Sequence, residues 1–367
     1  MRKSILLLAL SLGLTSGCDA NGLNFLNPNK GTTETSINSN DYYPAFNGGI
    51  AEFDLFSADN KVGTAVAVIE KADAKVRLKV LTRVGDSEEG MSQTGEWKGG
   101  ELVVSEDKNP QPYTSLKIPA KVGDTWLAGS STMKVASIGE LDGPSGLLKD
   151  VIRVDRIDQG KVDSSLWYAK GMGIVRVETR FGGTGDLITF RLTKHTPQPA
   201  AILLTAEDCF PMGNSAQSLL RIYNGNTEVG TATASLVPLT ATTARLDVQD
   251  PTNNPSNFSE TYERTSDALL SSSPNDQGVL QTRTNLKFPL KVGMDWQVGE
   301  ETTVIASFGS VVVPYGTVKD AVRVVRIRQG KVQDAFWFAK GLGIVQVESW
   351  QNEAAVHKLY KLLSRTP

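Results

Sequence analysis

The sequence predicts an all-β fold built twice, and three observations carry the prediction. A block of residues recurs downstream at a fixed offset. That block and its surroundings alternate apolar and polar residues with period two, and no stretch sustains three turns of helical periodicity. The expected architecture is two tandem homologous antiparallel β domains of about ten strands each, every domain a curved sheet of half-barrel, barrel-like or sandwich form. An export signal precedes them.

A chain of 367 residues has the length of two domains, each large enough for its own core. Its hydrophobic fraction of 40% and charged fraction of 21% place it with globular proteins rather than disordered ones. The formal net charge is −2, and loss of Arg2 and Lys3 with the leader leaves −4. Acids and bases are interspersed throughout, so the basic face that a phosphate-backbone binder needs is missing and nucleic acid is excluded as a partner.

The leader spans 1–17. Arg2 and Lys3 precede the apolar run Ile5–Leu14, which is too short to span a bilayer and has the form of a signal peptide. Thr15-Ser16-Gly17-Cys18 resembles the bacterial lipobox, departing from it at Thr15, where that motif carries a branched aliphatic residue. The resemblance implies that Cys18 is diacylated, becomes the first mature residue and anchors the protein to a membrane of the cell envelope. Ordinary cleavage, for instance after Ala20, is the alternative and gives a secreted protein. Asp19 resembles an inner-membrane retention signal used by some bacteria, which leaves inner and outer membrane both open. Besides Cys18 there is only Cys209, so either Cys18 carries lipid and Cys209 is a lone thiol, or the two pair.

Residues 18–41 are rich in Asn, Thr, Ser and Gly and bury too little apolar surface to fold, which makes them a flexible tether. The repeat then begins. Leu116-Lys-Ile-Pro-Ala-Lys-Val-Gly-Asp-Thr-Trp126 recurs as Leu286-Lys-Phe-Pro-Leu-Lys-Val-Gly-Met-Asp-Trp296, an offset of 170. Pro144–Glu178 recurs as Pro314–Glu348 with 21 identities in 35 ungapped positions, too many for chance. Thr196-Pro197 matches Thr366-Pro367, so the expected domains are 42–197 and 198–367. Between them, Ala200-Ala-Ile-Leu-Leu204 is too apolar for a free linker and is expected as a first or edge strand of the second domain.

Residues kept in both copies answer first to the fold. Lys-Val-Gly-x-x-Trp reads as a strand, a glycine turn and a strand opening on a core indole, with ligand stacking the alternative role for Trp126 and Trp296. The Gly-x-Gly of Trp167–Glu178 and Trp337–Glu348 supplies the positive φ of a hairpin; a strand follows it, not the helix that a phosphate loop requires. Period two places Ile152 with Val154 and Val322 with Val324 on the inner face, leaving Arg153 and Arg323 outside. Val175 and Val177 likewise point in, with Glu178 and Glu348 out. Arg153 with Glu178, and Arg323 with Glu348, are therefore expected to meet as cross-strand ion pairs, or to form a charged contact ledge for a ligand or partner.

The Pro-x-Lys-Val-Gly-x-x-Trp element and the following aromatic-Ala-Lys-Gly-x-Gly-Ile-Val hairpin resemble a class of uncharacterised exported β domains of bacterial lipoproteins, over the last 80 or so residues of each copy. Some members are similar to half-barrel carriers that shuttle lipoproteins across the periplasm. The resemblance implies a fold and no chemistry.

The two histidines, His195 and His357, stand at unrelated places in the two copies, which argues against a His-dependent triad and against a multi-histidine metal site. Ser131-Thr-Met-Lys134 matches Ser-x-x-Lys but lacks the partner motifs of penicillin-recognising enzymes, and the second copy has Glu301 and Val304 there. No catalytic residue, metal or cofactor is expected. The leading expectation is a non-enzymatic envelope lipoprotein whose β domains bind a ligand, hydrophobic cargo included, or an envelope protein. A structural or assembly role is the alternative. A carboxylate-dependent hydrolase is the third reading, and it requires two acids facing one another in a cleft.

Overall fold

The computed structural model describes residues 42–43, 49–72, 75–85, 87–106, 111–180, 186–197, 202–252, 257–274, 277–351 and 356–366. The leader 1–17 and the tether 18–41 with Cys18 lie outside the described residues. The described chain is a succession of antiparallel strands with one four-residue helix, and no helix among these residues is long and apolar enough to cross a membrane. Its described residues divide into two compact units, those of 42–82 with 91–197, and those of 83–90 with 202–366. These differ from the expected spans in one segment: Arg83–Gly90 belongs with the second unit, where the Gly90 amide donates to the Gly330 carbonyl at 2.9 Å.

Apart from residues 83–90 at the end of β3 and the start of β4, the first unit is built from β1 (Gly49–Ser57), β2 (Asn60–Ala72), β3 (Lys75–Val84), β4 (Ser87–Lys98), β5 (Glu101–Glu106), β6 (Tyr113–Lys117), β7 (Thr125–Ala128), β8 (Ser131–Gly143), β9 (Gly146–Asp158), β10 (Lys161–Ala169), β11 (Gly173–Arg180) and β12 (Leu187–Thr196). Strands β7 to β12 pair in sequence order. β12 then pairs with β1, β1 with β2, β2 with β3 and β3 with β4, and β4, β5 and β6 pair in order. Alternation decides what enters the interior: Ala51, Phe53 and Leu55 of β1 are buried, while Glu52 and Asp54 between them are not. Full burial of a side chain such as Leu55 contributes roughly 1.5–3 kcal/mol.

The second unit opens with α1 (Ala206–Cys209) and continues as β13 (Ala216–Asn224), β14 (Thr227–Pro238), β15 (Thr243–Gln249), β16 (Asn257–Arg264), β17 (Ala268–Pro274), β18 (Leu280–Lys287), β19 (Asp295–Val298), β20 (Glu301–Val313), β21 (Gly316–Arg328), β22 (Lys331–Ala339), β23 (Gly343–Gln351) and β24 (Val356–Thr366). Here β19 to β24 pair in order, β24 pairs with β13, and β13 to β18 continue the same open ladder. β20, β21 and β22 repeat β8, β9 and β10 at an offset of 170.

The seam corrects one expectation. Residues 202–204 join no ladder; they run as an extended segment with Ile202 and Leu204 buried and Leu203 exposed. The chain then turns helical because Thr205 and Asp208 form a reciprocal capping box, the Asp208 amide donating to Thr205 Oγ1 at 3.2 Å and the Thr205 amide to Asp208 Oδ2 at 3.0 Å. Cys209 ends this turn as a fully buried free thiol, pushed up to about 12 by burial and by the neighbouring Asp208.

The glycine of each Lys-Val-Gly turn is demanded by the backbone. Gly123 has φ +97° and donates its amide to Val135 O at 2.8 Å; Gly293 has φ +88° and donates to Ile305 O at 2.7 Å. L-residues reach that region only with strain. Gly123→Ala should therefore cost about 1–2 kcal/mol and lower the urea midpoint. Gly139→Ala, where a Cβ meets open space and φ is ordinary, should leave it unchanged. Equal midpoints for the two variants would contradict this account.

Candidate ligand-binding cleft

With period-two alternation, the inner positions of each strand decide what a unit can hold. In the first unit the inner positions that meet from β1, β2, β3, β11 and β12 are apolar, while Glu106, Arg156, Ser164 and Thr179 are buried polar residues of the same unit. Phe53, Ala67, Leu78, Val80, Val177 and Phe190 close around a cavity of about 50 Å³, too small and too apolar to hold a polar ligand. In the second unit the sheet lines a cleft of about 940 Å³, at the upper end of the ~300–1,000 Å³ typical of ligand sites.

The difference is written in the repeat. Ser164, Ile188 and Phe190 of the first copy become Asp334, Lys358 and Tyr360 of the second, 170 residues on. The register is the same in both, Thr179 facing Ile188 and Ser349 facing Lys358. Apolar walls remain, with Leu220, Leu246, Val248 and Tyr360 packed together and Phe336 and Val347 beside them. Large apolar side chains also lie exposed on the lining, Phe258 at 55% and Leu280 at 66%.

Two groups of polar side chains line this apolar space. In one, Lys358 Nζ lies 2.5 Å and Tyr360 Oη 2.8 Å from Asp250 Oδ2, while Thr252 gives Asp250 Oδ1 its amide at 2.9 Å and its hydroxyl at 2.7 Å. Burial pushes the Asp250 carboxyl up, but these donors outweigh it and hold the group at about 2. In the other, Arg326 and Asp334 are register partners on β21 and β22. Burial raises the Asp334 carboxyl above its ordinary range despite the Arg326 charge and a hydrogen bond from Ser349. Arg326 also donates to Asn285 Oδ1 and lies over the Phe336 ring at 4.6 Å. Tyr262 donates to Glu260 at 2.7 Å and stacks on Phe210, ring centroids 4.4 Å apart, so the segment after α1 forms part of the lining.

The residues singled out from sequence lie elsewhere, and none of the six lines either cavity. Trp126 and Trp296 are buried and tied by their indole N–H to the Thr114 and Thr284 carbonyls at 2.8 and 2.9 Å. Arg153 and Arg323 are on the outer face as expected, but the expected Arg–Glu pairs do not form. β10 separates β9 from β11, and its register sets Trp167 opposite both Arg153 and Arg176, whose guanidinium groups each lie 5.0 Å from the indole. Arg153 pairs instead with Asp155 at 2.7 Å and Glu178 with Arg176. In the second unit Arg323 lies 4.9 Å over Trp337 and pairs with Glu88, while Glu348 pairs with Arg83 at 3.3 Å. The side chain of His357 lies outside the described residues. Three of the cleft residues had a signal in the sequence: inward positions that become more polar from the first copy to the second, Ser164 to Asp334, Ile188 to Lys358 and Phe190 to Tyr360.

The first unit holds one comparable buried acid. Glu106 is pushed up to about 7 by burial, which Arg156 and Tyr113 only partly offset. The two acids should respond to pH with opposite signs. Asp250 is depressed below its unfolded value of about 4, so its stabilisation is present above that pH and is lost as pH falls through about 2. Glu106 is raised, so its contribution is present below about pH 4 and is lost as pH rises through about 7. Asp250→Asn should remove about 2–3 kcal/mol of acid-sensitive stability, and Glu106→Gln should flatten the decline between pH 5 and 8. Urea titrations across pH check both, and slopes unchanged in either variant would refute that assignment.

No family model matches the chain, and no curated protein matches it. Among solved structures, a Bacteroides fragilis protein described as exported, with a YmcC-like fold, is similar at 12% identity and a TM-score of 0.30, over 42% of this chain and 97% of that one. MucB is similar at 11% identity and a TM-score of 0.24, over 82% of this chain and 89% of its own, and MucB in complex with MucA(peri) at 11% and 0.24, over 90% and 95%. At TM-scores of this size, neither the fold nor the activity of those proteins transfers to this chain.

Proposed function

We propose that this chain is a non-enzymatic envelope lipoprotein, anchored through Cys18, whose second unit carries an elongated amphipathic ligand in its cleft. The observation that carries the reading is the lining: a space of about 940 Å³ with apolar walls, large exposed apolar side chains, the buried Asp250–Lys358 pair with Tyr360, and the half-buried register partners Arg326 and Asp334. Apolar walls favour a hydrocarbon body and the fixed polar groups orient a polar part. Hydrolysis by paired carboxylates is disfavoured. Both Asp250 oxygens are engaged, Oδ2 by Lys358 and Tyr360 and Oδ1 by Thr252, so this acid is not poised to activate water.

Native mass spectrometry of the full chain, purified from its own host in mild detergent, is the test. One amphipathic adduct per chain is expected, and Leu246→Trp, which thrusts an indole from the apolar wall into the cleft, should lower its occupancy. A clean apo mass, or an adduct whose occupancy Leu246→Trp leaves unchanged, would overturn the reading. The anchor is tested separately by metabolic labelling with palmitate: the wild type should be labelled and sediment with membranes, and Cys18→Ala should do neither. An unlabelled, soluble wild type would leave the secreted form.

A further inference from the structure

The outer face of the second unit holds a site that the cleft does not involve. Arg323 presents its guanidinium with Trp337 beneath it at 4.9 Å, and both carboxylate oxygens of Glu88 meet it, Oε1 at 2.8 Å from Nη1 and Oε2 against Nη2. The pair is withdrawn from water, with side-chain exposures of 13% for Arg323 and 3% for Glu88. Around it, Gly90 donates its amide to Gly330 O at 2.9 Å, Glu89 is the bridge partner of Lys331, and Arg83 reaches Glu348 at 3.3 Å. The segment Arg83-Val-Gly-Asp-Ser-Glu-Glu-Gly90 is thus held by a cation at one end, a bidentate acid five residues on, and a backbone hydrogen bond.

The first unit shows that this arrangement is not required to satisfy an arginine on a tryptophan. There Arg153 lies over Trp167 in the same way, yet its carboxylate comes from Asp155 on its own strand, with Ser165 as a further acceptor. In the second copy those two positions are Val325 and Ala335. Arg323 therefore has no acid two residues on along its own strand, with Glu348 acting on it through its charge, and it keeps the indole that desolvates and orients it, so its bidentate carboxylate comes from outside its own ladder, from Glu88.

We propose that Arg323, Trp337, Lys331 and the Gly330 carbonyl form a receptor for an extended acidic protein segment, of which Arg83–Gly90 is the resident occupant and a partner segment of the same chemistry the exchangeable one. Planar bidentate pairing selects a carboxylate, the backbone bond selects an extended strand, and Glu348 selects a basic residue upstream of the acid. This site does not depend on the cleft carrying a ligand.

The test uses a fluorescent peptide of the sequence Arg83–Gly90 and the full chain bearing Glu88→Lys with Glu89→Lys, whose own segment is repelled from the receptor. The peptide should bind this variant saturably, more tightly than it binds the wild type, and less tightly as salt is added. Adding Arg323→Met should weaken binding by about 30-fold or more, whereas Arg153→Met should not change it. No binding to the charge-reversed variant with its circular dichroism intact, or binding indifferent to Arg323→Met, would overturn the proposal. Should the charge-reversed variant fail to fold, hydrogen exchange on the wild type decides. Excess peptide is expected to speed exchange at the Gly90 amide by displacing the resident segment, and an unchanged rate would overturn the proposal.

Discussion

Each unit depends on its last strand lying beside its first. β12 pairs with β1 and β24 with β13, so the two ends of a long meander become neighbours in one ladder. Strand pairing has a side-chain period of two, and a slip by one residue would turn every inward side chain outward. The pairing therefore fixes which residues of β12 and β24 face the interior. Leu55 meets Phe190 in one unit and Ile222 meets Tyr360 in the other, with Leu55 and Ile222 both fully buried. The small cavity of the first unit and the large cleft of the second follow from what those fixed positions carry.

Much of this was legible in the sequence. Alternation and turn residues point to the antiparallel all-β class, and the Gly-x-Gly hairpins have the positive φ read from them, at Gly171, Gly173, Gly341 and Gly343. The seam was misread because Ile202 and Leu204 look like strand residues, while the capping box of Thr205 and Asp208, a helix-start signal four residues wide, was overlooked. The Arg–Glu pairing failed for a different reason. Face can be read from period two, but the order of strands and their register cannot, and both decided that Arg153 meets Trp167 and not Glu178. The cleft residues Asp334, Lys358 and Tyr360 lie outside the positions that are identical in the two copies. Identity between copies reports what the fold needs, whereas Ile188 against Lys358 and Phe190 against Tyr360 report what one copy does and the other does not.

The two outer faces show the same separation of fold from use. An arginine over an indole, Arg153 on Trp167 and Arg323 on Trp337, is common to both units and is a packing solution for a half-exposed sheet surface. What differs is the source of the counter-charge, local for Arg153 and from a distant segment of the chain for Arg323. A local acid two residues away brings little ordering cost. A carboxylate drawn from residue 88 fixes the backbone of its whole segment, so the second arrangement ties a stretch of chain to a surface where the first merely neutralises a charge.

Energetics then favour reading the charges of the cleft as functional. Asp250 and Lys358 are 4% and 7% exposed, and burial of such a pair costs several kcal/mol per ion before their attraction returns it. The first copy shows that this interior can be built with Ile188 and Phe190 in place of Lys358 and Tyr360, and packs down to a cavity of about 50 Å³. An apolar solution on the same ladder was therefore available. Keeping an ion pair and a tyrosine hydroxyl at those two positions, in the unit whose interior stays open, makes sense where those groups must meet a polar part of something else.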